Sequence, residues 1–355
     1  LTITAGNAGN GGAGGTTGVG GAGTAGGNAT FTNDNTAWTA QAATGATTVT
    51  ITGGNGGNGG NAGTGVAGVA GVAGGTAQVN FDGTATTIAA NVTLDDGTAG
   101  TAGTTSGSFA GGAAGGAGQA VLDFNAATSQ AFTGNILAAA DGEGSITIDG
   151  STLTINGTVG AAGVEVDDLT ATTAAVTTNN SLYIEDITLV DGASDLTLNG
   201  TTAKVVSGAI TGGAGTADII TGASSSWTFE GAVGKNSAGT ISAINEVNLV
   251  AAGTTATFNS TVNADLITTS ATGTVTFNDL VTTAILDVTN ASTITLGSGF
   301  VAGETGFKTT AGATAFDTAA TINMPQTFNT GAITLIDDTG TTAAADALLL
   351  YFNTN

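Results

Sequence analysis

Three glycine-rich tracts restrict what the first third of the chain can fold into. They occupy residues 5–27, 53–75 and 97–118, and parts of them repeat every three residues, as in the Gly-Gly-Asn run over 53–61. Three residues per turn is the repeat of an extended left-handed helix, and glycine at every third position would let such helices pack backbone against backbone. The alternative interpretation is a mobile glycine-rich loop, because glycine loses more entropy on folding than other residues do.

Each tract belongs to a repeated unit that opens with one short apolar alternation and closes with another. The openings lie at 1–4, 49–52 and 92–95, and the closings at 29–31, 79–81 and 121–124. A further large apolar residue follows each closing: Trp38, Ile88 and Phe132. Three matching units predict three stacked turns of one repeating structure. Because Leu1 opens in mid-pattern, we expect the sequence to be a processed or excerpted piece of a longer chain.

The last hundred residues repeat with a shorter period. Apolar residues recur there at intervals of 19 or 20 positions: Phe258, Phe277, Leu296, Phe316 and Leu335. Each lies in an alternation such as 274–277, Thr-Val-Thr-Phe, which predicts a strand with one buried face. A unit of this length is too short for a strand and a helix, and it fits one coil of a β-solenoid in which each coil covers the edge of the next. The five residues are predicted to form one buried column.

These patterns predict an all-β protein, an elongated right-handed β-solenoid (β-helix) with an N-terminal glycine-rich repeat region of polyglycine-type helices. We expect three regions: the three-fold glycine-rich repeat over 1–137, an irregular solenoid or sandwich-like segment over 138–254, and a solenoid of 19-residue coils over 255–355. The segment 343–350 is the only good helical candidate, with a final strand over 347–352 as the alternative.

The composition argues against several classes of function. The chain has 26 acidic residues, 3 lysines and no arginine, histidine or cysteine, for a net charge of −23. Zinc fingers, haem sites, iron–sulfur clusters and Ser-His-Asp triads are therefore excluded, and neutralisation of a nucleic-acid backbone is not expected. No run of 18 apolar residues occurs, which predicts no membrane span. Because the glutamates are not locally paired and aromatic residues are few, we expect no enzyme and no cofactor.

Calcium is the one ligand that the sequence suggests. The candidate ligands are three acidic pairs and one aspartate in a Gly-Gly-x-Gly-like run: Asp95, Asp96, Asp167, Asp168, Asp337, Asp338 and Asp218. Carboxylate oxygens suit a hard cation, and a cation between packed chains would screen their negative charge. The alternative is that these aspartates are solvated turn residues.

The Phe-Asn-x-x-Val openings at 258–262 and 277–281, with a related one at 229–233, resemble those of β-solenoid passengers of bacterial surface proteins. Autotransporter surface antigens and filamentous-haemagglutinin-like adhesins are the nearest comparisons. The cysteine-free composition, rich in Ser, Thr, Gly and Asn, is also similar to that of bacterial S-layer proteins. The resemblance covers about 140–355 and implies an extracellular or cell-surface location, an elongated shape and a structural or adhesive role. The glycine-rich tracts depart from the usual passenger.

We therefore expect an extracellular structural protein, a self-assembling subunit or segment of a bacterial surface fibre, surface layer or adhesin. Its partner would be further copies of the chain, joined through coil ends and strand edges. The alternative is an ice-binding protein that uses glycine-rich helices and ladders of Thr-x-Thr, as at 2–4, 50–52 and 152–154. Threonine is also simply favoured in strands.

Overall fold

Every described segment of regular structure is a β-strand. The computed structural model describes residues 1–16, 18–33, 48–83, 87–150, 152–191, 194–213, 217–222, 225–249, 253–269, 273–279, 281–288, 293–296, 307–316, 321–324 and 349–352, with side chains as far as 281. Within these residues the protein is all-β, and no helix there is long and apolar enough to cross a membrane.

The strands are short and are numbered in chain order. They are β1 (Thr2–Thr4), β2 (Ala29–Asn33), β3 (Thr48–Thr52), β4 (Ala77–Phe81), β5 (Thr87–Ile88), β6 (Asn91–Asp95), β7 (Ala120–Phe124), β8 (Gln130–Phe132), β9 (Ile136–Ala138), β10 (Glu143–Ile148), β11 (Leu153–Ile155), β12 (Val166–Ala171), β13 (Val176–Thr178), β14 (Ile184–Leu189), β15 (Leu196–Leu198), β16 (Ala203–Val206), β17 (Ala209–Gly212), β18 (Asp218–Thr221), β19 (Ser226–Phe229), β20 (Ile244–Asn248), β21 (Thr255–Phe258), β22 (Val262–Thr269), β23 (Thr274–Phe277), β24 (Val281–Val288), β25 (Thr293–Leu296), β26 (Phe307–Phe316), β27 (Thr321–Met324) and β28 (Leu349–Phe352).

Alternation of apolar and polar residues explains which face of each strand is buried. In β4, Ala77, Val79 and Phe81 are buried, whereas Gln78 and Asn80 between them are half-buried. The same two-residue period recurs in β10, β18 and β23. Successive side chains of a strand point to opposite faces, so each strand contributes one row to the core.

The chain divides into two compact units, residues 1–150 with 160–168, and residues 151–159 with 169–355. In the first unit, parallel strands pair in the orders β1-β3-β6-β9, β2-β4-β7-β10 and β5-β8. The predicted openings are confirmed as equivalent, since Ile3 lies opposite Ile51, which lies opposite Leu94. Ile88 lies opposite Phe132, as predicted, while Trp38 lies outside the described residues.

Alternation does not fix the register in which the first two closings pair. Phe31 lies opposite Val79, and Phe81 lies opposite Phe124 rather than Phe31. A shift of two residues keeps the same side chains on the buried face of a strand, so alternation alone cannot distinguish the two registers.

In the second unit, the longest described sheet runs β11-β13-β15-β18-β20-β22-β24-β26, and another runs β16-β19-β21-β23-β25-β27-β28. Both are parallel where the register is described, and they stack apolar residues in columns. One column is Leu153, Val176, Leu196, Ile219, Val247 and Ile267. Trp227 is 1% exposed and belongs to the core of this unit.

The predicted phenylalanine column is confirmed only in part. The Phe258 ring stacks on Phe229 at a centroid distance of 4.5 Å and on Phe277 at 5.1 Å. Leu296 follows opposite Phe277, but Phe316 lies on β26 opposite Val288, in the other sheet. The interval between paired residues lengthens there, since Val281 lies 19 residues after its partner Val262 whereas Phe307 lies 26 residues after Val281, and the pairing of β26 with β24 also shifts register.

Two further expectations concern the end of the chain. Leu335 lies outside the described residues. For the segment that could be a helix or a final strand, residues 349–352 form strand β28, which pairs with β27 in parallel.

Candidate functional surfaces

Each glycine-rich tract folds back on itself as a long hairpin. The outgoing segments are residues 5–15, 53–63 and 97–106, and the return segments are residues 18–27, 66–75 and 109–118. In the first tract the N–H of Gly6 donates to the oxygen of Gly27 (2.7 Å) and that of Gly12 to Gly21 (2.6 Å), with the same kind of bond at every third residue between them. This three-residue repeat is the one predicted from the sequence.

Neighbouring tracts are also joined by backbone hydrogen bonds. In the second tract, the N–H of Gly56 donates to Thr98 of the third tract (2.8 Å), and the N–H of Gly57 to Val72 of its own return segment (2.8 Å). The N–H of Asn55 donates to the side-chain Oδ1 of Asn7 in the first tract (2.8 Å). Three successive residues therefore bond in three directions. These bonds order the tracts, which argues against the alternative of a mobile loop.

Close approach of backbones explains why so many positions are glycine. A Cβ atom added at Gly57 would overlap the carbonyl oxygen of Gly9, and one added at Gly100 would overlap that of Gly57. Other glycines of the same tracts have no such neighbour, and a Cβ at Gly21 or Gly116 would meet nothing within 4 Å. Glycine therefore has two different environments in the three packed tracts, which we call the bundle.

Asparagine and threonine side chains form a regular array on the outgoing segments. The Oδ1 of Asn58 accepts bonds from the N–H (2.8 Å) and the Oγ1 (3.0 Å) of Thr101, and Asn55 binds Thr98 in the same way. All members are exposed: Asn7, Asn10, Asn55, Asn58, Asn61, Thr98, Thr101 and Thr104. We call this surface the Asn–Thr array. Its polar groups repeat every three residues along each segment and once per tract across them.

A second regular surface lies on the sheet that begins with β16. Two rows of mostly threonine residues are in register on its successive strands: Ser226, Thr255, Thr274, Thr293 and Thr321 in one, and Thr228, Thr257, Thr276, Thr295 and Asn323 in the other. As far as Phe277 the residues between the rows, such as Trp227 and Val275, are buried, so the threonines of β19, β21 and β23 occupy the opposite face. We call this surface the Thr array. Adjacent strands are about 4.8 Å apart in any such sheet.

The structure brings some of the predicted calcium ligands together. Asp95 ends β6 and Asp96 follows it, and the Oδ1 of Asp96 accepts the N–H of Ala120 at 2.6 Å. Burial raises the pKa of Asp96, and the charges of Asp167 and Asp95 raise it further. Glu143, which sequence reasoning did not single out, belongs to the same group, because burial raises its pKa and so do Asp95 and Asp96.

The remaining candidates are Asp168, Asp218, Asp337 and Asp338. Asp168 is next to Asp167 in β12, whereas Asp337 and Asp338 lie outside the described residues. Asp218 opens β18, and its carboxylate accepts a bond from the Nδ2 of Asn245 (2.8 Å). Within the described part of the chain, no three His, Cys, Asp or Glu side chains converge as a metal-binding group.

Asp123 is a buried acid that the sequence pattern did not indicate. It is 8% exposed on β7 between Asn80 of β4 and Thr147 of β10, and the Nε2 of Gln78 donates to its Oδ2 (3.1 Å). Burial, followed by the charge of Asp149, raises the pKa of Asp123 to about 6. Its place in the alternation is that of an outward-facing polar residue, so only the neighbouring side chains reveal its burial.

Comparison of the chain with protein-family models, with curated proteins and with solved structures finds no match.

Proposed function

We propose that this chain is a structural protein, a right-handed β-solenoid with polyglycine-type helices that assembles with further copies of itself outside a bacterial cell. The observation that carries the proposal is the in-register stacking of successive coils and tracts. In such a stack each coil offers the next one a row of backbone groups and an apolar column, so an uncovered coil end can accept another molecule.

Two features of the described residues support the solenoid. Parallel strands from successive coils pair in separate sheets, and each sheet contributes its own buried column. An interval of 19 residues separates Thr255, Thr274 and Thr293, which lie opposite one another on successive strands, and this interval supports a coil of that length. Side-chain bonds follow the same axis, since Asn278 Nδ2 donates to Asn259 Oδ1 one coil earlier (2.8 Å).

Negative-stain electron microscopy of the purified chain at micromolar concentration tests this proposal. Ordered fibres or sheets are the expected result. A parallel sample with a chelator shows whether calcium joins the subunits, because loss of order on chelation would assign cations to the contacts. Isolated particles under every condition would refute assembly.

Ice binding is the second candidate, and the Thr array is the observation that favours it. Two rows of mostly threonine residues on a parallel sheet recur once per strand, which is the kind of surface that can match a crystal lattice. Growth of ice crystals in the presence of the protein would show faceting if this surface binds ice. Thr257→Lys on the Thr array should then abolish faceting, while Thr101→Lys on the Asn–Thr array should leave it unchanged. Unfaceted growth with the wild-type chain would refute this candidate.

A further inference from the structure

Two buried side-chain oxygens on adjacent strands of the first unit have no hydrogen-bond donor. Asn80 of β4 lies directly opposite Asp123 of β7, on the face of the sheet turned away from the apolar core. The Oδ1 of Asn80 and the Oδ1 of Asp123 are both shielded from solvent, and neither has a hydrogen-bond partner among the described residues. Neighbouring strands are about 4.8 Å apart, so the two side chains are adjacent. Two such acceptors repel each other unless a proton or a cation lies with them.

The carboxylate of Asp123 is held in place by its other oxygen. Its Oδ2 accepts a hydrogen bond from the Nε2 of Gln78 (3.1 Å), and the residue is only 8% exposed. Gln78 comes two residues before Asn80 in β4, so both side chains lie on the same face of that strand. Gln78 therefore satisfies one carboxylate oxygen and leaves the Oδ1 of Asp123 for a further partner.

Further negative charge lies close to this pair, and the first unit offers no basic side chain to balance it. Burial raises the pKa of Asp123, and the charges of Asp149, which follows β10, and of Asp82, which follows β4, raise it further. The first lysine of the chain is Lys204, in the second unit, and arginine and histidine are absent throughout. Buried charges in proteins are paired or coordinate a metal ion. A cation from solution is therefore the partner that fits this group of acids.

We propose that Asn80 and Asp123 bind a calcium ion through their Oδ1 atoms, with the charges of Asp82 and Asp149 beside it. Carboxylate and carboxamide oxygens are calcium ligands, and calcium accepts an irregular ligand set that water completes. Asp149 is exposed, so the ion and its water can reach the pair from solvent. This inference goes beyond the proposed function, because the site lies within one unit of one chain and needs no assembly.

Calorimetric titration of calcium chloride into chelator-treated chain tests the site, at neutral pH and with sodium chloride holding the ionic strength constant. The wild type should bind one ion that two variants lose. Asp123→Asn removes the carboxylate charge and Asn80→Leu removes the carboxamide oxygen, and each should raise the dissociation constant at least about tenfold. Asp96→Asn is the matched control, because it removes one charge from the separate group of Asp96, Asp95 and Glu143. It should bind calcium like the wild type.

Thermal melts of the same four proteins give a second readout. Calcium should raise the Tm of the wild type and of Asp96→Asn, because an ion that binds only the folded state stabilises it, and should leave the two site variants unchanged. Melts in chelator show that every variant folds. A wild type without binding or a Tm increase overturns the site, and so does binding that survives in Asp123→Asn or Asn80→Leu. Binding that is lost only in Asp96→Asn would assign the ion to the other acidic group and refute this proposal.

Discussion

Adding one methyl group to a glycine should have opposite effects on the stability of the protein at two positions of the same bundle. At Gly57 the new Cβ overlaps the oxygen of Gly9, so the first and second tracts must separate. Overpacking of this kind costs about 1–3 kcal/mol. Separation also strains two bonds between these tracts, from the N–H of Ala8 to the oxygen of Asn55 (2.8 Å) and from that of Gly11 to Asn58 (2.7 Å), each worth about 1 kcal/mol. Gly57→Ala should therefore destabilise the bundle by about 2–5 kcal/mol.

Gly116→Ala is the matched control. Its Cβ meets nothing within 4 Å, and alanine restricts the unfolded chain more than glycine does. This change should stabilise the protein by about 0.4–1 kcal/mol. The two variants have the same composition and the same net charge, so a difference between them reports packing alone.

Hydrogen exchange followed by mass spectrometry is the suitable assay, because repeat structures can open locally without unfolding as a whole. In Gly57→Ala, peptides from all three tracts should exchange faster than in the wild type. In Gly116→Ala they should exchange at the wild-type rate or more slowly. Equal protection in the two variants would refute backbone-to-backbone packing of the tracts.

Three further changes have defined outcomes. Phe258→Ala should lower the unfolding free energy by about 3–5 kcal/mol in urea titrations, since the ring stacks on Phe229 and Phe277, whereas a loss below 1 kcal/mol would contradict that stacking. Thr173 has a φ of 55°, which a β-branched residue rarely adopts, so Thr173→Gly should raise Tm, and a lower Tm would contradict the assigned backbone. Burial raises the pKa of Asp123 from an ordinary 3.8 to about 6 in the folded state. The protonated carboxyl group therefore stabilises the fold fully below about pH 4, and this stabilisation is lost as the pH rises to about 6. Asp123→Asn should therefore melt higher than wild type at pH 7 and at a similar temperature at pH 4, and equal melting at both pH values would contradict the burial of Asp123.

Two periods could be predicted from the sequence because they come from backbone geometry. A two-residue alternation such as that of 274–277 places one row of side chains inside any sheet, and β23 has this pattern. A three-residue glycine period permits close packing of extended helices, and the tracts bond at every third residue. The equivalence of the openings at 1–4, 49–52 and 92–95 could also be predicted, since their residues alternate in the same phase.

Features that depend on distant residues could not be predicted in this way. Phe81 pairs with Phe124 and not with Phe31, because a shift by two residues leaves the local pattern unchanged. Phe316 leaves the column of Phe277, because the interval between paired residues rises from 19 at Val281 to 26 at Phe307. Asp123 has the pattern of an exposed residue and is buried by its neighbours on β4 and β10.

The glycines show most directly what the sequence determines and what only the tertiary structure decides. The sequence determines that the tracts are glycine-rich, that parts of them repeat every three residues and that residues 1–33 of the chain include no charged side chain. Only the tertiary structure decides that Gly57 lies against Gly9 while Gly21 and Gly116 face open space. The physical reason is that a glycine has no side chain to signal its surroundings, so its environment is set by the backbone that other parts of the chain bring next to it.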